Sequence, residues 1–119
     1  LVKHLLINWT EGEKFFKNSL LDYNQANNVS GWQWVAGCGA DAAPYFRIFN
    51  PILQGEKFDK EGSYVKKWVL ELKNVPKKFI HKPWELKDES ILKIGKEYPF
   101  PLVVHEKARS KALSAFKKI

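Results

Sequence analysis

Apolar positions along this chain recur with a helical period, and no stretch shows the convincing two-residue alternation of a half-buried strand. Thr10 and Glu13 have the form of a capping box opening a helix with Phe16, Leu20 and Tyr23 on one side, and that helix is predicted to end near Asn27 and Asn28. A second helix is predicted through Trp32–Val35, stopped by Gly37 and Gly39. Residues 41–51 then read as irregular, with Pro44 and Asn50-Pro51 as breakers. Asp59 is placed to cap the next helix, in which Tyr64, Val65, Trp68, Val69 and Leu72 fall on one stripe, so that Trp68, Tyr64 and Leu72 belong to the predicted core. Asp88 caps a short helix toward Ile94, and Pro99 and Pro101 force an extended link. The span 105–118 is a last amphipathic helix with Ala108, Ala112, Leu113 and Phe116 inward. The expected fold class is all-α.

Length changes this picture little: 119 residues make one compact domain or one piece of a larger one. With 45% hydrophobic and 14% aromatic residues the chain is too apolar for disorder. No apolar run approaches the roughly 20 residues that span a bilayer, and the opening LVKHLLINW carries charge where a cleaved signal does not, so a soluble, cytoplasmic protein is expected. The lone Cys38 forms no internal disulfide and, among Gly and Ala, is expected to be a buried, inert thiol. Methionine is absent even from position 1, so the chain reads as the end of a longer protein that carries part of a site.

The net charge of +7 is uneven: six basic residues stand against six acidic ones in 1–60, and fourteen against seven in 61–119. Such a balance fits a polyanionic partner. The lysines interleave with acidic residues, as in Lys87-Asp88-Glu89, for which a solvated helix face is the more common explanation, so charge alone does not decide.

Several chemistries are excluded. The chain has no G-x-G-x-x-G, no phosphate-cradling G-x-x-x-x-G-K-[ST] and no G-x-S-x-G elbow, and His105-Glu106-Lys107-Ala108-Arg109 ends in Arg where a zinc helix needs His. Three scattered histidines and one cysteine give no metal cluster in the sequence. What remains is the stretch from Asn27 to Lys57. Trp32-Gln33-Trp34 followed by small residues reads as the wall of a site for a flat ligand. Asp22, Asn24 and Asn28, at the end of one predicted helix, are able to hold a polar heterocycle by its edge, or they simply finish that helix.

An ordered series settles between these readings: Ile7-Asn8-Trp9, Asp22-x-Asn24, Asn27-Asn28, Gly31-Trp32-Gln33-Trp34, the string GADAAPYFRIFNP over 39–51, Gln54-Gly55-Glu56-Lys57-Phe58-Asp59, YVKKWV over 64–69, His81-Lys82-Pro83-Trp84 and Tyr98-Pro99-x-Pro101. It closely resembles the C-terminal part of class I cyclobutane pyrimidine dimer photolyases, from position 1 to the end of the chain. The resemblance implies that residues 1–119 are the C-terminal portion of the helical FAD-binding domain, with the antenna domain and the upstream FAD-binding helices outside the chain. It implies light-driven repair: reduced FAD gives an electron to a pyrimidine dimer flipped out of DNA, the dimer splits and the electron returns, a carbon–carbon lyase step. The partners implied are damaged DNA and the upstream part of the same protein, with no membrane. This stretch by itself is expected to bind FAD weakly or not at all and to be inactive.

Residue by residue, the resemblance gives Asp22, Tyr23, Asn24 and Asn28 to flavin binding, with Asn28 facing the N5 edge, and Asn24 standing where the family usually has a second aspartate. Trp32 and Trp9 match the proximal and middle tryptophans that photoreduce oxidised flavin. Trp34 matches the tryptophan packed against the flipped dimer, and Arg47, Gln54 and Lys57 fall where the family meets DNA. Trp68 and Trp84 are read as core. A cryptochrome-type photoreceptor on the same scaffold is the alternative, against which Asn28 and the intact Trp32-Gln33-Trp34 argue. A small basic helical nucleic-acid-binding protein without flavin leaves the conspicuous motif in the neutral half unexplained.

Overall fold

The structure, a computed structural model, describes residues 1–41 and 43–118. Ala42, within the quoted 39–51 string, lies outside them. The described elements are helical, with one isolated bridge between Ile94 and Tyr98 and no strand. The chain divides into two compact units, one of residues 1–48 with the segment from Val103 onward, the other Phe49–Leu102.

The first unit contains α1 (Val2–Leu5), α2 (Trp9–Ser19), α3 (Gln25–Ala36) and α6 (His105–Lys117). Asn8, not Thr10, caps α2: its Oδ1 accepts from the Thr10 N–H at 3.1 Å and from the Thr10 hydroxyl at 3.0 Å, which displaces the expected capping box. The helix stops at Ser19 and does not run on to Asn27, because Leu20 turns extended and Asn24 takes the extended backbone of a new N-cap, its Oδ1 accepting from the Asn27 N–H at 3.0 Å. A short polar side chain that satisfies a helix start competes with continuation of the preceding helix. α3 therefore begins before Trp32, and it ends at Gly37 in the left-handed region, as its glycine requires. α1 packs on α6, where Ala108 and Ala112 are buried and Leu113 and Phe116 are half-buried, the inward face expected.

In the second unit Asn50-Pro51 is a helix start, not only a breaker. Asn50 Oδ1 accepts from Ile52 and Leu53 at 3.1 and 3.3 Å and Pro51 occupies the first turn of α4 (Pro51–Phe58), where its missing N–H costs nothing. Gly62 holds the N-cap position of α5 (Ser63–Trp68), and Asp59, three residues before it, serves the first turn in place of a cap side chain, its two oxygens accepting from the Tyr64 and Val65 N–H groups at 3.2 and 3.3 Å. Gly62 is left-handed, and a Cβ there would meet Ile80 at 2.5 Å.

The core of this unit is Leu72, Val75, Ile80 and Leu92, with Val65 and Val69 packed against it. Leu72 is 2% exposed as expected, but Tyr64 and Trp68 are 69% and 63% exposed, so their assignment to the core is wrong. α5 ends at Trp68 and a tighter 3-10 turn, Leu70–Leu72, follows, so the inward stripe is Val65, Val69, Leu72 and the aromatic stripe stays outside. Trp84 lies half-buried in a second 3-10 turn, Pro83–Glu85. Asp88 binds Ser90 in a turn and opens no helix toward Ile94, since Gly95 takes a positive φ there.

Candidate flavin-facing and damage-facing surface

Trp32 reaches its position because residue 12 is glycine: a Cβ at Gly12 would meet the indole at 2.2 Å. The indole instead lies against the α2 backbone, with Phe16 edge-on at a centroid distance of 5.2 Å and an interplanar angle of 74°. Trp9 stands three residues before Gly12 on α2, about one turn along the helix from the glycine that Trp32 covers. Trp9 is half-buried and lines a cavity with Ala36, Cys38 and Phe116. Cys38 itself is exposed, which corrects the expectation of a buried thiol: the glycines around it form the α3 cap at the surface.

Trp32 and Trp34, two residues apart on α3, face different clefts. Trp32 lines one of about 320 Å³ with Phe16, Asn28 and Gly31. Trp34 lines another of about 500 Å³ with Ser30, Gln33, Gly39 and Asp41. The backbone carbonyl of Trp34 also accepts from Gly37 at 3.2 Å and Ala43 at 3.0 Å, which fastens the small-residue loop to the end of α3.

Asp22, Asn24 and Asn28 straddle the turn into α3 and do not finish one helix as read from the sequence. Asp22 is exposed in the turn, and the Asn24 amide oxygen is occupied by its capping bond. The Tyr23 hydroxyl donates to Glu13 Oε1 at 2.9 Å, and burial together with that bond raises the phenol above its ordinary pKa. Asn28 Nδ2 donates to the Glu13 carbonyl at 3.1 Å. Its Oδ1 is left accessible in the Trp32 cleft, since no buried side-chain oxygen among the described residues lacks a partner. An amide oxygen beside an indole, opening on a concave apolar face, fits the edge of a flavin ring, so the donor set present here suits FAD.

Arg47 lies exposed in a turn whose N–H donates to the Pro44 carbonyl at 3.0 Å, and Gln54 and Lys57 are exposed one turn apart on α4. Sequence reading missed what holds the Arg47 turn. Lys3 is buried, and its Nζ donates to the carbonyls of Pro44 and Arg47 at 3.2 and 3.0 Å. Burial and then the Arg47 charge lower its pKa. The histidines were read as far apart, yet His4 Nε2 and His105 Nδ1 meet at 2.8 Å. Among the described residues no three potential metal ligands converge, and no helix is long and apolar enough to cross a membrane.

The family model described as "FAD binding domain of DNA photolyase" matches residues 1–118. A deoxyribodipyrimidine photo-lyase of Agrobacterium fabrum is 55% identical over 120 residues, covering 98% of this chain and 25% of that protein. The crystal structure of a bacterial class III photolyase from Agrobacterium tumefaciens superposes with a TM-score of 0.90 at 53% identity, covering 99% of this chain and 25% of that one. A Synechocystis cryptochrome structure gives 0.86 at 34% identity, covering 95% and 24%. The chain thus spans about a quarter of the length of these proteins.

Proposed function

The chain belongs to the DNA photolyase FAD-binding domain family, whose cofactor is FAD, and on that premise we propose that it serves light-driven repair of cyclobutane pyrimidine dimers in DNA. The observation that carries this reading is the division of α3 into two sides, with Asn28 and Trp32 on one cleft and Trp34 on the other. One side is built to meet a flavin edge and the other to stack a flat base. When bound, FAD supplies the light-driven electron.

This chain's residues do the rest. Asn28 Oδ1 offers an acceptor at the ring edge and Asp22 a carboxylate nearby, while Tyr23 and the capping Asn24 hold the turn that carries them. Trp32 and Trp9 offer a path along α2 for returning electrons to oxidised flavin. Trp34 stacks the extruded dimer, and Arg47, Gln54 and Lys57 meet the DNA strand.

Residues 1–119 are read as the C-terminal portion of the helical domain, a reading that rests on the order of the motifs; the coverage of a quarter of a relative's length supports only that the match is to part of such a protein. Upstream residues complete the pocket, and by itself this piece binds FAD weakly and is inactive. The class I subclass read from the motifs stands beside a class III neighbour at 53% identity. A cytoplasmic placement belongs to the same reading. A photoreceptor role is the second reading, favoured by the 34% identity to a cryptochrome. Irradiating dimer-containing DNA with the flavin-loaded protein that carries this chain is the test. Light-dependent restoration of the two pyrimidines supports repair; flavin photoreduction with no dimer lost overturns it in favour of signalling.

A further inference from the structure

The turn between α2 and α3 is fastened at one residue from two directions. The Glu13 carboxylate accepts from the Tyr23 hydroxyl at 2.9 Å, just ahead of the Asn24 cap, and the Glu13 carbonyl accepts from Asn28 Nδ2 at 3.1 Å, in the first turn of α3. Glu13 is itself half-buried on α2. A carbonyl only accepts, so it admits the Asn28 amide in one orientation: turned over, the amide would set oxygen against oxygen. Oδ1 is therefore directed into the cleft that Trp32 and Phe16 share.

We infer that Glu13 is a positioning residue for the Asn28 amide, its carbonyl selecting the orientation and its carboxylate, through Tyr23, holding the turn at the distance the carbonyl bond needs. This deepens the proposed flavin reading and rests on it for the identity of the group that Oδ1 meets. Tyr23 contributes from within the chain, as a strut between α2 and the cap, and the raised phenol pKa agrees with a hydroxyl that retains its proton and donates it in the hydrogen bond to the Glu13 carboxylate. An acceptor fixed ahead of time favours a flavin edge that carries a proton over one that does not, without reorganisation when the ring's charge changes.

The experiment uses the flavin-loaded protein that carries this chain, with Glu13→Ala, Glu13→Gln, Tyr23→Phe and Asn28→Asp. Two readouts are taken: hydrogen exchange of the Asn28 side-chain amide by NMR, and the visible absorbance of the flavin during illumination, which shows the redox state that persists. Glu13→Ala is expected to speed amide exchange about tenfold, the equivalent of one lost hydrogen bond, and to change the persisting redox state. Tyr23→Phe should move both in the same direction, which keeps the test decisive if the alanine variant does not fold. Glu13→Gln keeps an acceptor for the hydroxyl and should restore both. Unchanged amide exchange and absorbance in Tyr23→Phe and Glu13→Ala, with Asn28→Asp altering the flavin, overturns the inference and leaves the flavin reading standing. Asn28→Asp without effect on the flavin overturns the reading beneath it.

Discussion

At the scale of the residue, function depends on side chains that close packing holds in one place. Gly12→Ala illustrates the balance: alanine gains about 1 kcal/mol of helix propensity. Its Cβ would meet the Trp32 ring at 2.2 Å, an overpacking that costs about 1–3 kcal/mol. The clash wins, so a net loss of stability and a displaced indole are expected, read by denaturant midpoint and tryptophan fluorescence. The two neighbouring tryptophans should separate by role. Trp32→Phe is expected to block photoreduction of oxidised flavin and spare repair by flavin reduced chemically beforehand. Trp34→Ala should weaken binding to dimer-containing DNA by about 1–3 kcal/mol, the worth of a base–aromatic stack, in a titration at fixed salt. An undiminished affinity would remove Trp34 from the damage site.

Also at this scale, the His4–His105 bond requires one nitrogen with its proton and one without. Burial and then the neighbouring His105 lower the pKa of His4, and α3 brings no ionisable group to the pair. Because the folded pKa is lowered, the unfolded chain takes up the proton first as pH falls. Stability is therefore whole above the ordinary imidazole value of 6.5 and declines below it. Urea midpoints measured across that range should fall with acid, and a His4→Asn variant should flatten the slope.

At the scale of the element, caps decided boundaries that periodicity blurred. Asn8, Asn24 and Asn50 each place an amide oxygen on the N–H groups of a helix start, and each was read from the sequence as something else or passed over. Asparagine serves starts, stops and turns alike, so its role is fixed only by the backbone angles on either side. The part Asp59 plays at the start of α5 was legible because it precedes a strongly apolar run, and Asp59→Ala should cost about 1 kcal/mol through loss of its two bonds to the first-turn N–H groups. The same helix separates true core from apparent core. Leu72→Ala, at 2% exposure, should cost about 2–5 kcal/mol. Trp68→Ala, at 63% exposure, should stay within about 0.5 kcal/mol in this chain. Thermal melts of the two variants distinguish them directly.

At the scale of the whole molecule, the sequence by itself determined that the chain is helical, that Gly37 ends a helix, that the last helix turns its alanines inward, and that Trp32 and Trp34 face apart. These properties follow from local spacing, and spacing along a helix is fixed by its pitch. The family was legible for a related reason, because a long ordered string is specific without knowledge of any contact. Tertiary structure alone decided which apolar stripe of α5 is buried, since a 3-10 turn after Trp68 rotated the register. It also decided that Lys3 is buried against two carbonyls, that His4 meets His105 across a hundred and one positions, and that Glu13 holds both Tyr23 and Asn28. Those bonds join residues with no pattern between them along the chain, and chain folding alone sets the distance at which a donor finds its acceptor.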